Sequence, residues 1–403
     1  MLDTVELARE LIRTPSPVLT GNEVAVAEVV DGALDRAGLP AARRVNRADD
    51  RPNLVSTIDF GPGGRHLVLA GHIDTKPVAD ARWSVDPYGA DIIDGRLYGL
   101  GSADMKAAVA AMIVAAEQLA ASADGLRGRL SLVFTADEED GAEFGAKHAA
   151  SRMGLDADAL IIGEPGGIHA DYDSLHLVSR GLARFIATAR GRQGHSSLSA
   201  LLGRRNAGLD LARAIAAIGD AALTDPADGD GLRDWSSTVN PGLTYSGGYG
   251  YGVLPESMSA RVEVRTLPGQ SPDRILDELR GVLAAAARAD GGELGIEFDN
   301  PPAHAIAATQ VRAQSPIVEC IQQTAESVLG RRLPLSVFPG TTDTTWFSEA
   351  YPELPCLPAL GPGLLQHAHG ADEYVDVEAV RATPGLYGGI ARAFMTQREG
   401  EGS

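Results

Sequence analysis

The chain is poor in cysteine, and this scarcity excludes two classes of protein. Its 403 residues include only Cys320 and Cys356, which lie far apart in the sequence. Two distant cysteines form neither the disulfide framework of a small secreted domain nor a CxxC metal site. We expect both side chains to be buried as small apolar groups.

The chain also lacks an excess of positive charge and a long apolar segment. Lys and Arg number 35 against 54 Asp and Glu, which leaves a formal net charge of −19. This balance argues against DNA or RNA as a partner, because phosphate binding needs clustered basic side chains. The longest apolar run, residues 107–116, ends at Glu117 and is too short to span a bilayer. Because Asp3 and Glu6 stand where a signal peptide would be basic, we expect a cytoplasmic protein.

Several common catalytic motifs are absent as well. The sequence contains no HExxH, no GxxxxGK[ST], no GxSxG and no GxGxxG. Their absence weakens the nucleotide-binding and serine-hydrolase interpretations. An apolar fraction of 44% nevertheless indicates a folded, globular protein.

Short apolar runs alternate with helical stretches in both terminal parts of the chain. Residues 66–70 and 130–135 are predicted as buried strands, and residues 160–162 as a further short strand. Residues 104–121 are predicted as a long, Ala-rich helix that begins at Asp104. Alternating strands and helices predict an α/β fold with a mostly parallel sheet.

The pattern changes after about residue 180. Residues 182–190 and 258–267 alternate apolar with polar or small side chains, which is typical of half-exposed antiparallel strands. The sequence therefore predicts an α+β domain at 180–293, inserted into an α/β domain that comprises 1–179 and 294–403.

Acids and histidines are concentrated in five short segments, three of which directly follow predicted strands. The segments are Gly71–Thr75 (GHIDT), Gly99–Lys106 (GLGSADMK), Ala136–Gly141 (ADEEDG), Gly163–Pro165 (GEP) and His367–Tyr374 (HAHGADEY). Each segment alone has a structural explanation: a buried histidine, a helix cap at Asp104, or solvated acids at the start of a helix.

Taken together, the five segments indicate a metal site. Ligands of open α/β sheets bind outside the carboxyl ends of the strands, and the segments that follow predicted strands carry His72, Asp74, Glu138, Glu139 and Glu164. Side chains two positions apart in an extended chain face the same way, so Asp74 can orient His72. Imidazole and carboxylate ligands suit zinc, and a bridging carboxylate allows two ions to lie about 3.5–4 Å apart.

The order and wording of these segments resemble the M20 family of metallopeptidases and deacylases. That family includes acetylornithine deacetylase, succinyl-diaminopimelate desuccinylase, aminoacylase and glutamate carboxypeptidase. The resemblance implies two divalent metal ions, with Zn²⁺ as the default and Co²⁺ or Mn²⁺ as substitutes. The ligands it implies are His72 and Glu164 for one ion, Glu139 and His369 for the other, and Asp104 between them.

The resemblance also implies catalytic roles and a choice between two histidines. Asp74 would orient His72, and Glu138 would be the general base that takes a proton from the metal-activated water. His369 is preferred to His367 because the ligand of the family lies four residues before a glutamate, here Glu373. The chain departs from the family's GRGxxDMKG wording at Leu100 and Ala107, and neither position is a ligand.

The insert resembles the dimerisation, or lid, domain of the same family, which implies a homodimer. Residues 191–196 (GRQGHS) match its GxxGHS element, so His195 would stabilise the tetrahedral oxyanion in the partner's active site. Arg265 would pair with a substrate carboxylate or would be an ordinary surface arginine. Asn240 and Thr342 would contact the substrate or would be ordinary loop residues.

We therefore expect a dinuclear metal-dependent amidohydrolase that removes the acyl group from an N-acylated amino acid. One alternative is a dipeptidase or carboxypeptidase of the same family that cleaves a small peptide with a free carboxylate. A second is a non-catalytic protein that binds metal or ligand on the same scaffold; the presence of a general base, Glu138, argues against it. A third is an acidic interaction protein with solvated carboxylates.

Overall fold

The computed structural model describes residues 1–20, 23–78, 81–202, 206–226, 235–287, 291–299 and 305–397. Contacts divide the chain into two compact units. The first unit comprises Met1–Ser179, Gln310–Phe338 and Thr342–Ser403, and the second comprises Arg180–Thr309 and Pro339–Thr341.

The described residues form ten α-helices, several of which begin and end at residues suited to those positions. Asp3 caps the first helix by accepting the N–H groups of Val5 and Glu6, and the eighth begins at Pro316 and ends before Gly330. The helices are α1 Thr4–Ile12, α2 Glu23–Arg36, α3 Ala107–Ala121, α4 Ala146–Met153, α5 Ser199–Leu202, α6 Ala207–Gly219, α7 Pro272–Ala286, α8 Pro316–Leu329, α9 Thr344–Ala350 and α10 Val377–Met395. Across the described ranges, no helix is long and apolar enough to cross a membrane.

Twenty-one short strands accompany these helices in the described residues. They are β1 Arg43–Arg44, β2 Leu54–Asp59, β3 His66–His72, β4 Ile92–Ile93, β5 Arg96–Tyr98, β6 Arg129–Thr135, β7 Ala159–Ile162, β8 Pro165–Gly167, β9 Leu175–Ser179, β10 Gly181–Arg190, β11 Gly194–His195, β12 Thr238–Gly247, β13 Val253–Leu254, β14 Ser257–Thr266, β15 Glu293–Phe298, β16 Ala305–Ile306, β17 Thr309–Gln310, β18 Leu335–Phe338, β19 Cys356–Leu357, β20 Gly361–Leu364 and β21 Tyr374–Asp376.

The first unit is built on a six-stranded sheet with the order β1-β2-β6-β3-β7-β19. Strands β6, β3, β7 and β19 are parallel. Strand β2 runs antiparallel to β6, and the edge strand β1 runs antiparallel to β2. Every residue of β3 is buried, as expected for a parallel strand with both faces covered. The predicted α/β class with a mostly parallel sheet is confirmed.

Helices cover both faces of this sheet. Helices α4 and α9 contribute to an apolar cluster with β3, β6 and β7, in which Val68, Val133, Ala149, Leu160 and Phe347 are buried. Helix α3 packs against α1 and α10, and its Ala-rich sequence lets these helices approach closely. Cys320 and Cys356 are buried and free, as the sequence predicts.

The prediction that α3 begins at Asp104 is wrong. Helix α3 begins at Ala107, and Asp104 has an extended backbone with φ −122° and ψ 90°. Its backbone N–H donates to the Glu373 carboxylate. This long-range contact, invisible in the local sequence, frees the Asp104 carboxylate from a capping role.

The second unit contains an antiparallel sheet with the order β12-β14-β10-β15, in which β16 also pairs with β10. Helices α6 and α7 lie against it through a core that includes Phe185, Leu211, Val262 and Leu279. This arrangement is the α+β architecture that the alternating pattern predicts.

The predicted end of the insert, residue 293, is too early. Strand β15 begins at Glu293, and its residues through Phe298 pair with β10. The second unit therefore continues to Thr309 and regains Pro339–Thr341. This boundary is not visible in the local sequence, because β15 pairs with β10, a strand more than a hundred residues earlier.

Gly145 lies where two backbone segments approach closely, at the turn between the acidic segment and α4. A Cβ atom at this position would stand 1.8 Å from the Ala136 carbonyl oxygen. We expect Gly145→Ala to destabilise the fold by about 1–3 kcal/mol, because the backbone must move to accommodate the methyl group. Thermal and denaturant unfolding would measure the loss. Gly385→Ala, in α10 with no atom within 4 Å of the added Cβ, is the control, and equal stability of the two variants would contradict the explanation.

Candidate active site

The carboxyl ends of three parallel strands meet at one edge of the large sheet. Strand β3 ends at His72, which is opposite Thr135, the last residue of β6. Strand β7 ends at Ile162, which is opposite Ala70 of β3. The acidic segments that follow β6 and β7 are thereby brought beside His72, as predicted from the strand ends.

One group of potential ligands surrounds the ring of His72. Its Nε2 lies 2.9 Å from Asp104 Oδ1 and 3.6 Å from Glu164 Oε1. All three side chains are buried. His72 Nδ1 donates to the Asp74 backbone carbonyl at 3.0 Å. This hydrogen bond fixes the ring so that Nε2, the nitrogen which a cation would use, faces the two carboxylates.

A second group shares Asp104 with the first. His369 Nε2 lies 3.2 Å from Asp104 Oδ2 and 3.0 Å from Glu139 Oε2. In each group, one donor atom from every residue lies within 4.8 Å of the others. The two oxygens of Asp104 therefore face different histidines, as a bridging carboxylate requires. His367, the alternative to His369, packs against the ring of Tyr374 with 4.2 Å between ring centroids.

Glu373 holds the backbone that presents Asp104. Its Oε1 accepts the N–H groups of Ala103 and Asp104 at 2.9 and 3.1 Å, and its Oε2 accepts that of Gly101 at 3.2 Å. Burial and the nearby Asp104 raise the pKa of Glu373 to about 8, although the three N–H groups oppose this shift. Glu373 therefore borders the site, four residues after His369.

The Asp74 carboxylate contacts the acidic segment more directly than it contacts His72. Its two oxygens accept the backbone N–H groups of Glu138 and Glu139 at 3.2 and 3.1 Å. The nearer carboxylate oxygen is 3.6 Å from His72 Nδ1. Asp74 thus holds two neighbouring acids in place and only secondarily orients the histidine ring, the role given to it by sequence.

Glu138 is half-buried among other acids. Burial raises its pKa well above the ordinary value, as do the negative charges of Asp343, Glu139 and Asp104, while His72 opposes the shift. Asp343 is a buried acid, and Thr135 Oγ1 donates to its Oδ2 at 3.1 Å. The pKa of Asp343 is raised to about 7, chiefly by burial.

The protonation of the histidines supports a cation site. Burial disfavours the charged form of His72, but the bonds with Asp104 and Asp74 outweigh it and raise its pKa well above the ordinary value. Hydrogen bonds with Asp104 and Glu139 raise the pKa of His369 to about 10. In both groups the carboxylates therefore favour positive charge at the imidazole. Divalent cations displace protons from such donors, and this donor set suits zinc.

Two further acids of the acidic segment and one lysine lie near these groups in the chain or in space. Asp137 is buried and its Oδ2 accepts the Phe144 N–H at 2.9 Å, whereas Asp140 is exposed. The Lys76 ammonium lies 3.3 Å from Glu139 Oε2 and also contacts the Glu139 carbonyl oxygen. Lys76 was not predicted as part of the site.

Thr342 belongs to the first unit and is buried in its own loop. Its backbone N–H donates to Ser179 Oγ at 3.2 Å, and its hydroxyl lies 2.9 Å from that of Thr344. Thr342, which the sequence predicts to contact the substrate, therefore forms hydrogen bonds with residues of its own unit.

Within the second unit, Arg265 and Asn240 lie on neighbouring strands of the antiparallel sheet. Arg265 is paired with Glu263 at 2.8 Å and reaches Thr341 Oγ1 at 3.3 Å. Asn240 is half-buried on β12, opposite Glu263.

Arg180 is a buried cation of the second unit that sequence reasoning missed. Its guanidinium donates to the carbonyl oxygens of Ser236 and Arg265, and its Nε has no partner among the described residues. Burial and the neighbouring Arg265 lower its pKa to about 10. The only sequence signal was an arginine directly before β10.

His195 is exposed in the second unit, at the end of the short strand β11. It pairs across the ladder with Val253. Its side chain accepts a hydrogen bond from Ser197.

Two solved structures with the same fold are those of metal-binding peptidases. An M20 family metallo-carboxypeptidase from Sulfolobus solfataricus superposes with a TM-score of 0.76 at 19% identity, over 98% of this chain and 99% of that one. A dinuclear metal-binding peptidase of the M20 family from Bacillus subtilis matches with a TM-score of 0.69 at 15% identity, over 96% of each chain. At these identities the similarity establishes the fold.

Sequence relatives are closer. The chain is 31% identical over 398 residues to the succinyl-diaminopimelate desuccinylase of Methylocella silvestris, covering 97% of both chains. It is 32% identical over 409 residues to that of Parvibaculum lavamentivorans, covering 98% of this chain and 96% of the relative. The model of peptidase family M20/M25/M40 matches residues 68–393. The chain therefore belongs to peptidase family M20/M25/M40.

Proposed function

We propose that this protein is a dinuclear metal-dependent deacylase that hydrolyses the amide bond of an N-succinylated amino acid. The observation that carries the proposal is the pair of ligand groups that share Asp104 at the carboxyl edge of the sheet. Nearly full-length similarity to succinyl-diaminopimelate desuccinylases supports the acyl group. The donor types favour Zn²⁺, and Co²⁺ or Mn²⁺ could replace it.

Five side chains would hold the cations. His72 and Glu164 would hold one, Glu139 and His369 the other, and Asp104, which belongs to both groups, would help to hold each. Bound divalent cations would supply Lewis acidity, which polarises the scissile carbonyl and makes water a stronger acid. They would also balance the crowded carboxylates, whose burial is otherwise costly.

Glu138 would move the proton in this reaction. Its carboxylate would accept the proton of the attacking water and deliver it to the nitrogen of the leaving amine. Asp74 supports this role because it holds the backbone of Glu138 and Glu139 by two hydrogen bonds. The position of the base is thus coupled to that of a metal ligand.

We further propose a homodimer in which His195 of one protomer donates a hydrogen bond to the oxyanion formed in its partner. Strand β12 supports dimerisation: it is an edge strand that pairs with β14 on one side, and Leu243 and Tyr245 on it are 56% and 60% exposed. An exposed, partly apolar edge can pair with the same edge of a second copy.

Arg265 of the second unit, with Arg180 beside it, would bind the carboxylates of the substrate. The Arg265 guanidinium, with Arg180 beside it, offers the forked donors that carboxylates prefer. Asn240 and Thr342 would add neutral hydrogen bonds. The whole chain has a net charge of −19, which repels an anionic substrate. The two neighbouring guanidinium groups would offset this repulsion for a substrate that carries several carboxylates.

We expect Glu138→Gln to lower kcat by about 10²–10⁴-fold, because proton transfer by a positioned carboxylate contributes about that much. Metal content and melting temperature should stay at the values of the wild-type protein. Asp140→Asn, an exposed acid two residues away, is the matched control. Near-normal turnover in Glu138→Gln would contradict the assigned base.

The metal proposal predicts two bound ions per chain, measured by inductively coupled plasma mass spectrometry after reconstitution with Zn²⁺. Asp104→Ala should bind less than one equivalent of Zn²⁺ per chain, because both ligand groups include this carboxylate. Asp124→Asn, in an exposed turn, should retain two. One ion in the wild type, or two ions in Asp104→Ala, would contradict a shared ligand. Two ions without hydrolysis of any substrate would favour a binding protein.

A substrate panel tests the acyl group. We expect kcat/KM for N-succinyl-diaminopimelate to exceed that for N-acetylated amino acids and for dipeptides, since only the first places a carboxylate in the acyl group. Arg265→Lys should raise KM roughly tenfold through loss of the forked contact, with a smaller effect on acetylated substrates. A preference for dipeptides would favour the peptidase alternative.

The dimer is tested by light scattering. A charge in the middle of β12, as in Leu243→Lys, should shift the protein towards monomers and reduce turnover with it. Leu335→Lys, at an exposed position of the first unit, should remain dimeric and active. Persistence of the dimer in Leu243→Lys would exclude β12 as the interface.

A further inference from the structure

The ring of His195 is held by the residue two positions further along the chain. Ser197 Oγ lies 2.8 Å from His195 Nδ1, and the Ser197 backbone N–H donates to the same nitrogen at 3.3 Å. The backbone around the ring is also fixed: His195 pairs with Val253, and the N–H of Ser196 donates to the Gly252 carbonyl at 3.0 Å. The histidine side chain thereby caps the 3₁₀ turn Ser196–Leu198.

These contacts determine which ring nitrogen carries the proton. A backbone N–H can donate but cannot accept, so the nitrogen that faces it must present its lone pair. Nδ1 is therefore the acceptor, and the Ser197 hydroxyl, which can also donate, reinforces this arrangement. In a neutral imidazole the single proton then resides on Nε2.

We propose that Ser197 is a positioning residue that holds His195 as the Nε2–H tautomer with Nε2 directed away from its own backbone. This inference rests on the proposed role of His195 as an oxyanion donor. An oxyanion donor must present an N–H where negative charge develops, and a ring with its proton on Nδ1 would turn a lone pair towards that charge. Ser197 thus keeps the proton of His195 on Nε2 in the protein without substrate.

The tautomer is measured directly by ¹⁵N NMR of the full-length protein labelled at histidine, with His195→Ala used for assignment. At a pH where the ring is neutral, Nε2 should give the protonated signal and Nδ1 the unprotonated, hydrogen-bonded signal. In Ser197→Ala, the Nδ1 signal should move towards the value of an unbonded nitrogen, because the shorter of its two hydrogen bonds is lost. A protonated Nδ1 in the wild type would overturn the proposal.

Turnover supplies the second readout. Ser197→Ala should lower kcat about two- to tenfold with little change in KM, the effect of one neutral hydrogen bond, and Ser197→Thr should restore it. Ser199→Ala, two residues along and exposed, should change neither kcat nor the Nδ1 signal. Added to His195→Ala, Ser197→Ala should cause no further loss, because it acts through that ring.

The two possible failures are distinguishable. Wild-type turnover in His195→Ala would contradict the proposed role of the histidine, whatever its tautomer. Loss of turnover in His195→Ala, combined with unchanged kcat and Nδ1 signal in Ser197→Ala, would overturn the role of Ser197 alone.

Discussion

The site depends on one constraint: several carboxylates are buried within a few ångströms of one another. Asp74, Asp104, Glu139 and Glu164 are all buried, and Glu138 lies among them. Charges of one sign in a low-dielectric environment repel strongly, so the arrangement needs compensating positive charge. The two imidazoles, whose pKa values the carboxylates raise, favour positive charge at this place. Divalent cations would provide more, which explains why a stable protein gathers these acids.

Around this centre the chain uses main-chain hydrogen bonds to keep acids in place. Asp74 accepts two N–H groups from the segment that carries Glu138, and Glu373 accepts three from the segment that carries Asp104. Backbone donors stabilise a carboxylate without bringing a competing side-chain cation to the ligand groups. The backbone that carries Asp104 and Glu139 is therefore held by two acids, Glu373 and Asp74, that are not themselves candidate ligands.

Much of this was predictable because the signals are local. Strand ends followed by acids and histidines predicted the rim of the sheet, and the family predicted from the five segments is confirmed by full-length relatives. The extended backbone of Asp104 was not predictable, because its N–H bonds to Glu373, far along the chain. The same holds for the two hydrogen bonds that the Asp74 carboxylate accepts from the segment after β6. Arg180 was missed for the same reason: an arginine before a strand has no local feature that indicates burial.

The amino-acid sequence was enough to indicate the fold class and the family, and its resemblance to that family implied the candidate metal ligands. Hydrophobic periodicity indicates the fold class and the wording of the five segments indicates the family, and both are properties of short segments. Contacts between distant segments were needed to show that Asp104 faces two histidines and that the second unit continues to Thr309. The folded backbone likewise places Ser197 so that it donates to Nδ1 of His195. These features depend on where the folded backbone places and points each residue. The type of a residue does not fix its position or its direction.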